Sequence, residues 1–260
     1  MHIVTGLILV SLAMVIAVGG LVLVQRLVPT ERRQRHNDVA GFIYAVVGVA
    51  YAVLLGLMLI AVWEEWNEAE ATTTEEANEL AEIFWLAHRL PEPEGRHIQE
   101  LARSYAEEVV NEEWPLMKQG GEGSARAWDY LDEMRGAIEQ LDPSATDVPQ
   151  VLYNQALLER LHGLADARKE RLLDAEKGLP SILWVVLILG GAIAIGFTYL
   201  FGLENSLEHT LMVAALAMIF ALTLFTVAAL DYPFRGDVHV EPTAFEQVLE
   251  RFETSELSHL

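Results

Sequence analysis

Residues 39–63 read VAGFIYAVVGVAYAVLLGLMLIAVW, a run of 25 without Asp, Glu, Lys, Arg or His. A helix needs about 20 apolar residues to cross about 30 Å of hydrocarbon, so this stretch is long enough to span a bilayer. Three more uncharged runs, 4–24, 181–203 and 210–230, have the same character. Apolar residues make up 52% of the chain but lie in these blocks instead of being spread along it, which argues against one large soluble domain. The fold class read from this layout is all-α: a polytopic membrane protein with four transmembrane helices in two pairs and a helical acidic insert between the second and third.

Only Met1, His2 and Ile3 precede the first run, and Arg26, Arg32, Arg33 and Arg35 follow it. With no basic stretch before it and no small-x-small cleavage site after it, the run reads as a span and not as a cleaved leader. The absence of cysteine removes disulfides, thiolate nucleophiles and iron–sulfur ligation together. Residues 64–178 hold 11 Lys+Arg against 27 Asp+Glu, and the tail from 231 holds 2 against 7. Such a surface repels nucleic acid and attracts cations; an acid-rich proteome from a saline habitat gives the same bias without any function.

The expected domains are 1–63, spans one and two with a basic loop at 25–38; 64–179, an acidic helical extramembrane domain; 180–230, spans three and four; and 231–260, an acidic C-terminal tail with a short helix. Glu64 to Leu90 lacks Pro and Gly, so the second span is expected to continue out of the membrane as one helix, with Trp63 and Trp66 at the interface. Pro91 and Pro93 break it. A helix from Glu94 to Trp114 follows and is expected to end at Pro115. Gly120, Gly121 and Gly123 read as a linker, and Ser124 as the N-cap of the next helix. A turn at Asp142-Pro143 leads to a last long helix that reaches Gly178-Leu179-Pro180.

Arginines at 26, 32, 33 and 35 place the first loop in the cytoplasm and the insert outside, whereas Arg160, Arg168, Lys169, Arg171 and Lys177 ahead of span three argue that the insert is inside. Charge therefore leaves the side of the 64–179 domain open.

The eight histidines form no metal-ligand spacing, and no nucleophile elbow, phosphate loop or dinucleotide fingerprint is present. No catalytic residue, cofactor or metal is expected. A carboxylate pair such as Glu112 and Glu113 reads as a solvated helix face. None of the four spans holds an ionisable residue to carry a proton, which disfavours proton-coupled transport.

A passive pore needs no buried charge. Four spans cannot enclose an ion path alone, so a pore requires a homo-oligomer around a shared axis. The second span is the favoured liner, with Phe42, Val46, Val49 and Val53 as a constriction face and His36, Asn37 and Asp38 at its mouth. These three also have a structural reading, as a helix cap paired with Arg33 or Arg35. Gly41, Ala45, Gly48, Ala52 and Gly56 form a small-residue stripe for close helix packing, within or between subunits. The hydroxyls of Tyr44 and Tyr51 need partners there. The expected function is a homo-oligomeric channel-like membrane protein conducting small ions. The rival reading is a noncatalytic scaffold whose acidic domain docks a protein partner.

Several stretches resemble the bestrophin-like domain family of bacterial membrane proteins. They are Arg35-His36-Asn37-Asp38 with Gly41, the run Tyr51 to Gly56, Glu113-Trp114-Pro115, Arg168 with Arg171, Leu179-Pro180 with Trp184, and Asp231 with Pro233, Phe234 and Gly236. They follow one another in order over nearly the whole chain. The resemblance implies a bacterial plasma membrane location, a pentamer, four membrane helices, and a cytosolic helical domain between the second and third. The chain departs from bestrophins in being shorter, in having only Phe42 near the expected aromatic pore neck, and in lacking an acidic calcium clasp.

Overall fold

A computed structural model describes residues 3–141 and 148–257; the turn expected at Asp142-Pro143 lies outside them, as do the last three residues, 258–260. The described residues are all-helical and contain no strand. Four helical stretches are long and apolar enough to cross a membrane. The chain divides into two compact units, residues 1–64 with 178–231, and residues 65–177 with 232–260.

The first unit contains α1 (Ile3–Leu27), the short α2 (Thr30–Gln34), the start of α3 (Asn37–Ala87), α8 (Ser181–Thr198) and α9 (Ser206–Leu230). α1 packs chiefly on α9. Without a hydrophobic drive between helices in lipid, that contact depends on shape. A Cβ at Gly6 would fall within 1.9 Å of the Phe225 ring, so the glycine is what admits the ring. Ala17, Leu21, Val213 and Ala217 close the seam, with Ile195 of α8 and Tyr199 just past its end against it.

α3 joins this unit through tyrosines. The Tyr51 hydroxyl donates to the Leu187 carbonyl at 2.9 Å, and its ring meets Phe220 edge-on at 4.8 Å. Gly190 and Gly191 make the approach possible, since a Cβ at either would sit 2.8 or 2.7 Å from Tyr51 atoms. Tyr44 packs its ring on Phe197 and Phe201.

The second unit contains the rest of α3, α4 (Glu94–Glu108), α5 (Trp114–Lys118), α6 (Ala125–Glu139), α7 (Val148–Glu176) and α10 (Thr243–Leu257). α3 is one unbroken helix of 51 residues, about 76 Å long at 1.5 Å per residue. The expected continuation beyond Trp63 is thus present. Its core collects Leu80 and Phe84 of α3, Ile98 and Tyr105 of α4, Leu131 and Met134 of α6, Leu157 and Leu161 of α7, and Phe245 and Phe252 of α10.

Pro115 does not end the helix begun at Glu94. It carries no N–H for the carbonyl four residues back and its ring crowds that position. The chain responds with a π turn at Val109–Glu113, in which the Trp114 N–H bonds five residues back to Val109, and the helix resumes as α5.

Phe252 stacks on Phe84 at 3.8 Å with an interplanar angle of 13°. Both rings are buried. Replacing Phe252 with Ala is expected to cost about 3–5 kcal/mol in the stability of this unit, measured by denaturant unfolding of the full chain in detergent.

Candidate functional site

At 100° per residue, Tyr51, Leu55 and Val62 share one side of α3, and all three are buried. Phe42, Val46, Val49 and Val53 lie on the opposite side, 76%, 60%, 65% and 56% exposed. The small-residue stripe falls between these two faces. A Cβ at Gly48 or Gly56 would meet nothing within 4 Å, and at Gly41 only Phe201 at 3.8 Å. Ala45 and Ala52 are exposed. The close-approach surface of α3 is therefore unused within the subunit among the described residues.

At the start of α3, Asn37 pairs with Gly202 in both directions, its amide donating at 2.9 Å and its carbonyl oxygen accepting at 3.0 Å. Its side chain thus binds the loop after α8, not the free N–H groups of its own helix. Arg33 donates to the Phe201 carbonyl at 3.0 Å and, more weakly, to that of Tyr199 at 3.5 Å, so its charge rests at the carbonyl end of α8, where the helix dipole is negative. Arg35, His36 and Asp38 are exposed beside them. At the other end of the spans, Asp231 accepts from the Leu179 N–H at 2.7 Å and from the Trp184 indole at 3.3 Å, closing the turn at Pro180.

The second unit holds a buried charge cluster. Arg168 and Arg171 sit three apart on α7, on one face, and both are fully buried with Glu76 and Glu113. Arg168 grips Glu113 through two parallel bonds of 2.8 and 2.6 Å. Arg171 grips Glu76 through its Nε and Nη2 at 2.5 and 3.0 Å, and its Nη2 also reaches Glu113 at 2.6 Å. The Ser124 N–H adds a fourth donor to Glu113 at 2.6 Å, and the Tyr105 hydroxyl donates to Glu76 at 2.5 Å. Two carboxylates thus face two guanidiniums in matched forks, the geometry that repays removal from water. Aromatic faces complete the enclosure, Trp128 at 4.8 Å from the Arg168 guanidinium and Trp114 at 5.0 Å from that of Arg171.

Burial alone would raise the Glu113 carboxyl, but Arg171 and Arg168 outweigh it and hold the group below its ordinary value. Burial also works against the Arg171 charge; Glu76 and then Glu113 reverse that and stabilise the cation. Tyr105 is held well above the usual phenol range by burial and by Glu76 beside it.

Three expectations change here. Glu113 is not solvated like Glu112: the π turn carries it inward. Gly120–Gly123 is not a free linker, because a Cβ at Gly123 would lie 2.5 Å from Leu172 and 3.2 Å from Glu113. Ser124 does not cap α6 with its hydroxyl, which donates instead to Glu108 at 2.6 Å. Glu76 has no distinguishing signal in the sequence, being one Glu among many on α3, and Tyr105, whose helical spacing marks it for packing, also carries a hydroxyl bond to Glu76. Phe234 and Trp114 meet edge-on at 5.6 Å, and Pro233 accepts from the Val240 N–H at 2.8 Å. Gly236 has φ of +85°, which only glycine takes readily. No group of three or more His, Asp or Glu among the described residues is arranged to hold a metal ion.

The Bestrophin-like domain profile matches residues 11–245, and the chain belongs to that family of membrane proteins. Its fold is similar to that of a point variant of a bacterial bestrophin homologue from Klebsiella pneumoniae, at 14% identity and a TM-score of 0.66 over 94% of this chain and 98% of the other. A second crystal structure of that homologue aligns at 15% identity and a TM-score of 0.63, covering 93% and 96%. A variant of a protein described only as a membrane protein aligns at 15% and 0.66, covering 94% and 96%. No curated protein matches by sequence.

Replacing Arg171 with Met leaves Glu76 and part of Glu113 buried without a counter-charge, an expected loss of about 3–5 kcal/mol. Lys should not rescue it, having no planar fork. Because the folded pKa of Glu113 is depressed, its contribution is fully present above about 4.5 and is lost as pH falls through the lower folded value. Chemical unfolding between pH 7 and pH 3 should show stability falling below that point, with a shallower fall in Glu113→Gln.

Proposed function

We propose that the protein is one subunit of a homo-oligomeric channel for small ions, with the membrane-crossing part of α3 lining the pore. The observation that carries this reading is the open side of α3. Phe42, Val46, Val49 and Val53 point away from the subunit's own helices, and the stripe of Gly41, Ala45, Gly48, Ala52 and Gly56 beside them leaves room for another helix at backbone distance. Copies of α3 arranged about a rotational axis would cover the stripe and turn the four larger side chains toward the axis. A ring of apolar side chains then gates by excluding water, while His36 and Asp38 stand at the mouth.

In this proposal the spans form two pairs around the acidic domain of residues 64–179, in the plasma membrane of a bacterium. Five copies is the number that the family resemblance implies. The acidic domain has no assigned partner in it.

Purified protein reconstituted into liposomes tests the proposal. A cation or anion flux is expected, and Val49→Asp should raise it several-fold by wetting the constriction. Particles imaged in detergent should display a closed rotational axis. A verified oligomer without flux, or a monomer, would sink the pore reading and favour the scaffold.

A further inference from the structure

The backbone carbonyls at the end of α8 and in the loop after it are taken by side chains from other helices. His209 of α9 donates from Nε2 to Thr198 at 3.0 Å, Arg33 of α2 holds Tyr199 and Phe201, and Asn37 of α3 holds Gly202. Gly202 sits so close to α2 that a Cβ there would lie 2.6 Å from the Gln34 nitrogen and 2.7 Å from the Thr30 carbonyl oxygen. His209 is 3% exposed and Arg33 6%. Two basic side chains from different helices are thus buried on adjacent carbonyls.

A carbonyl only accepts, so the neutral His209 ring carries its proton on Nε2, and acid adds the second at Nδ1. The partial negative charge of a helix end favours a cation, and Arg33 already supplies it. Burial and the Arg33 charge both oppose another on the ring. The remaining charged groups around this corner are exposed: Arg26 at the end of α1, Glu31 and Arg32 on α2, Arg35, His36 and Asp38 around the start of α3, and Glu204 and Glu208 beside His209 itself. The Tyr199 hydroxyl is committed to the Ala17 carbonyl at 2.8 Å. Arg33 is therefore the charge that acts on the ring.

We propose that His209 is an acid-sensitive latch on the start of α3. Neutral, the ring closes the corner between α8 and α9, to which Asn37 ties the first turn of α3. Charged, it moves to water, gives up Thr198 and frees the corner. The consequence for conduction rests on the reading of α3 as the pore liner; the latch itself does not.

Backbone hydrogen exchange of the full chain in detergent tests the latch without any flux. The closed corner favours the neutral ring, so its stability is present above the ordinary histidine value of about 6.5 and is lost as pH falls below it. Between about pH 7.5 and pH 5.5, with times scaled for the intrinsic rate, amides of residues 199–209 should lose about tenfold in protection. His209→Gln keeps an N–H donor for Thr198 but cannot charge, so its protection should not change. His36→Gln should respond as the parent does, and Arg33→Gln, which removes the opposing charge, should lose less than the parent. Unchanged protection in the parent, a full response in His209→Gln, or its disappearance in His36→Gln would overturn the latch. In liposomes the parent's flux should change over the same pH range and that of His209→Gln should not; a protein without flux that still shows the exchange response sinks the pore reading alone.

Discussion

Two arginines one turn apart on α7 repel each other, and burying either without a counter-charge is prohibitive. The second unit exists in its present form because Glu113 comes between them. It accepts from both guanidiniums, Glu76 takes the outer side of Arg171, and the Ser124 N–H fills a remaining lone-pair direction. Each partner comes from a different stretch of chain: α3, the π turn, the start of α6, and α7. A helix placed one turn out of register would strand at least one of these charges. The cluster therefore selects one packing among the many that a core rich in leucine and alanine would tolerate.

The π turn is the local device that serves this constraint. Pro115 removes a backbone donor from a continuing helix, and the widened turn absorbs the loss while both Glu113 and Trp114 are buried. The glycine loop that follows packs against Leu172 and brings Ser124 onto the carboxylate. α10 then closes the unit with Phe245 and Phe252, so the acidic C-terminal stretch supplies part of the core.

The first unit, which holds the candidate spans, follows a different rule. Lipid tails are as apolar as the side chains, so helix contacts there are fixed by fit and by satisfied polar groups. Gly6 under Phe225 and the glycine pair under Tyr51 consume close-packing surface within the subunit. The stripe on α3 does not, and this contrast between used and unused glycines is the basis for the proposed oligomer.

The all-helical class, the four candidate spans and the long continuation of α3 were legible in the sequence because each rests on local physics: hydropathy over about 20 residues and the absence of helix breakers. The family motifs also marked Glu113, Trp114, Arg168, Arg171 and Asp231. Their meaning was not legible. Glu113 looks like Glu112 beside it, and Glu76 looks like any glutamate on an acidic helix, because burial and ion pairing depend on residues 55 and 95 positions away. Gly48 likewise reads as a packing glycine, and only the tertiary structure shows that it is left open while Gly190 is filled by Tyr51. Sequence alone determined which segments are helices and which are long and apolar enough to cross a membrane, since those properties are summed along the chain. Which charges are buried, and which face of α3 is left for a neighbour, was decided by the tertiary structure, since those properties depend on what distant segments bring into contact.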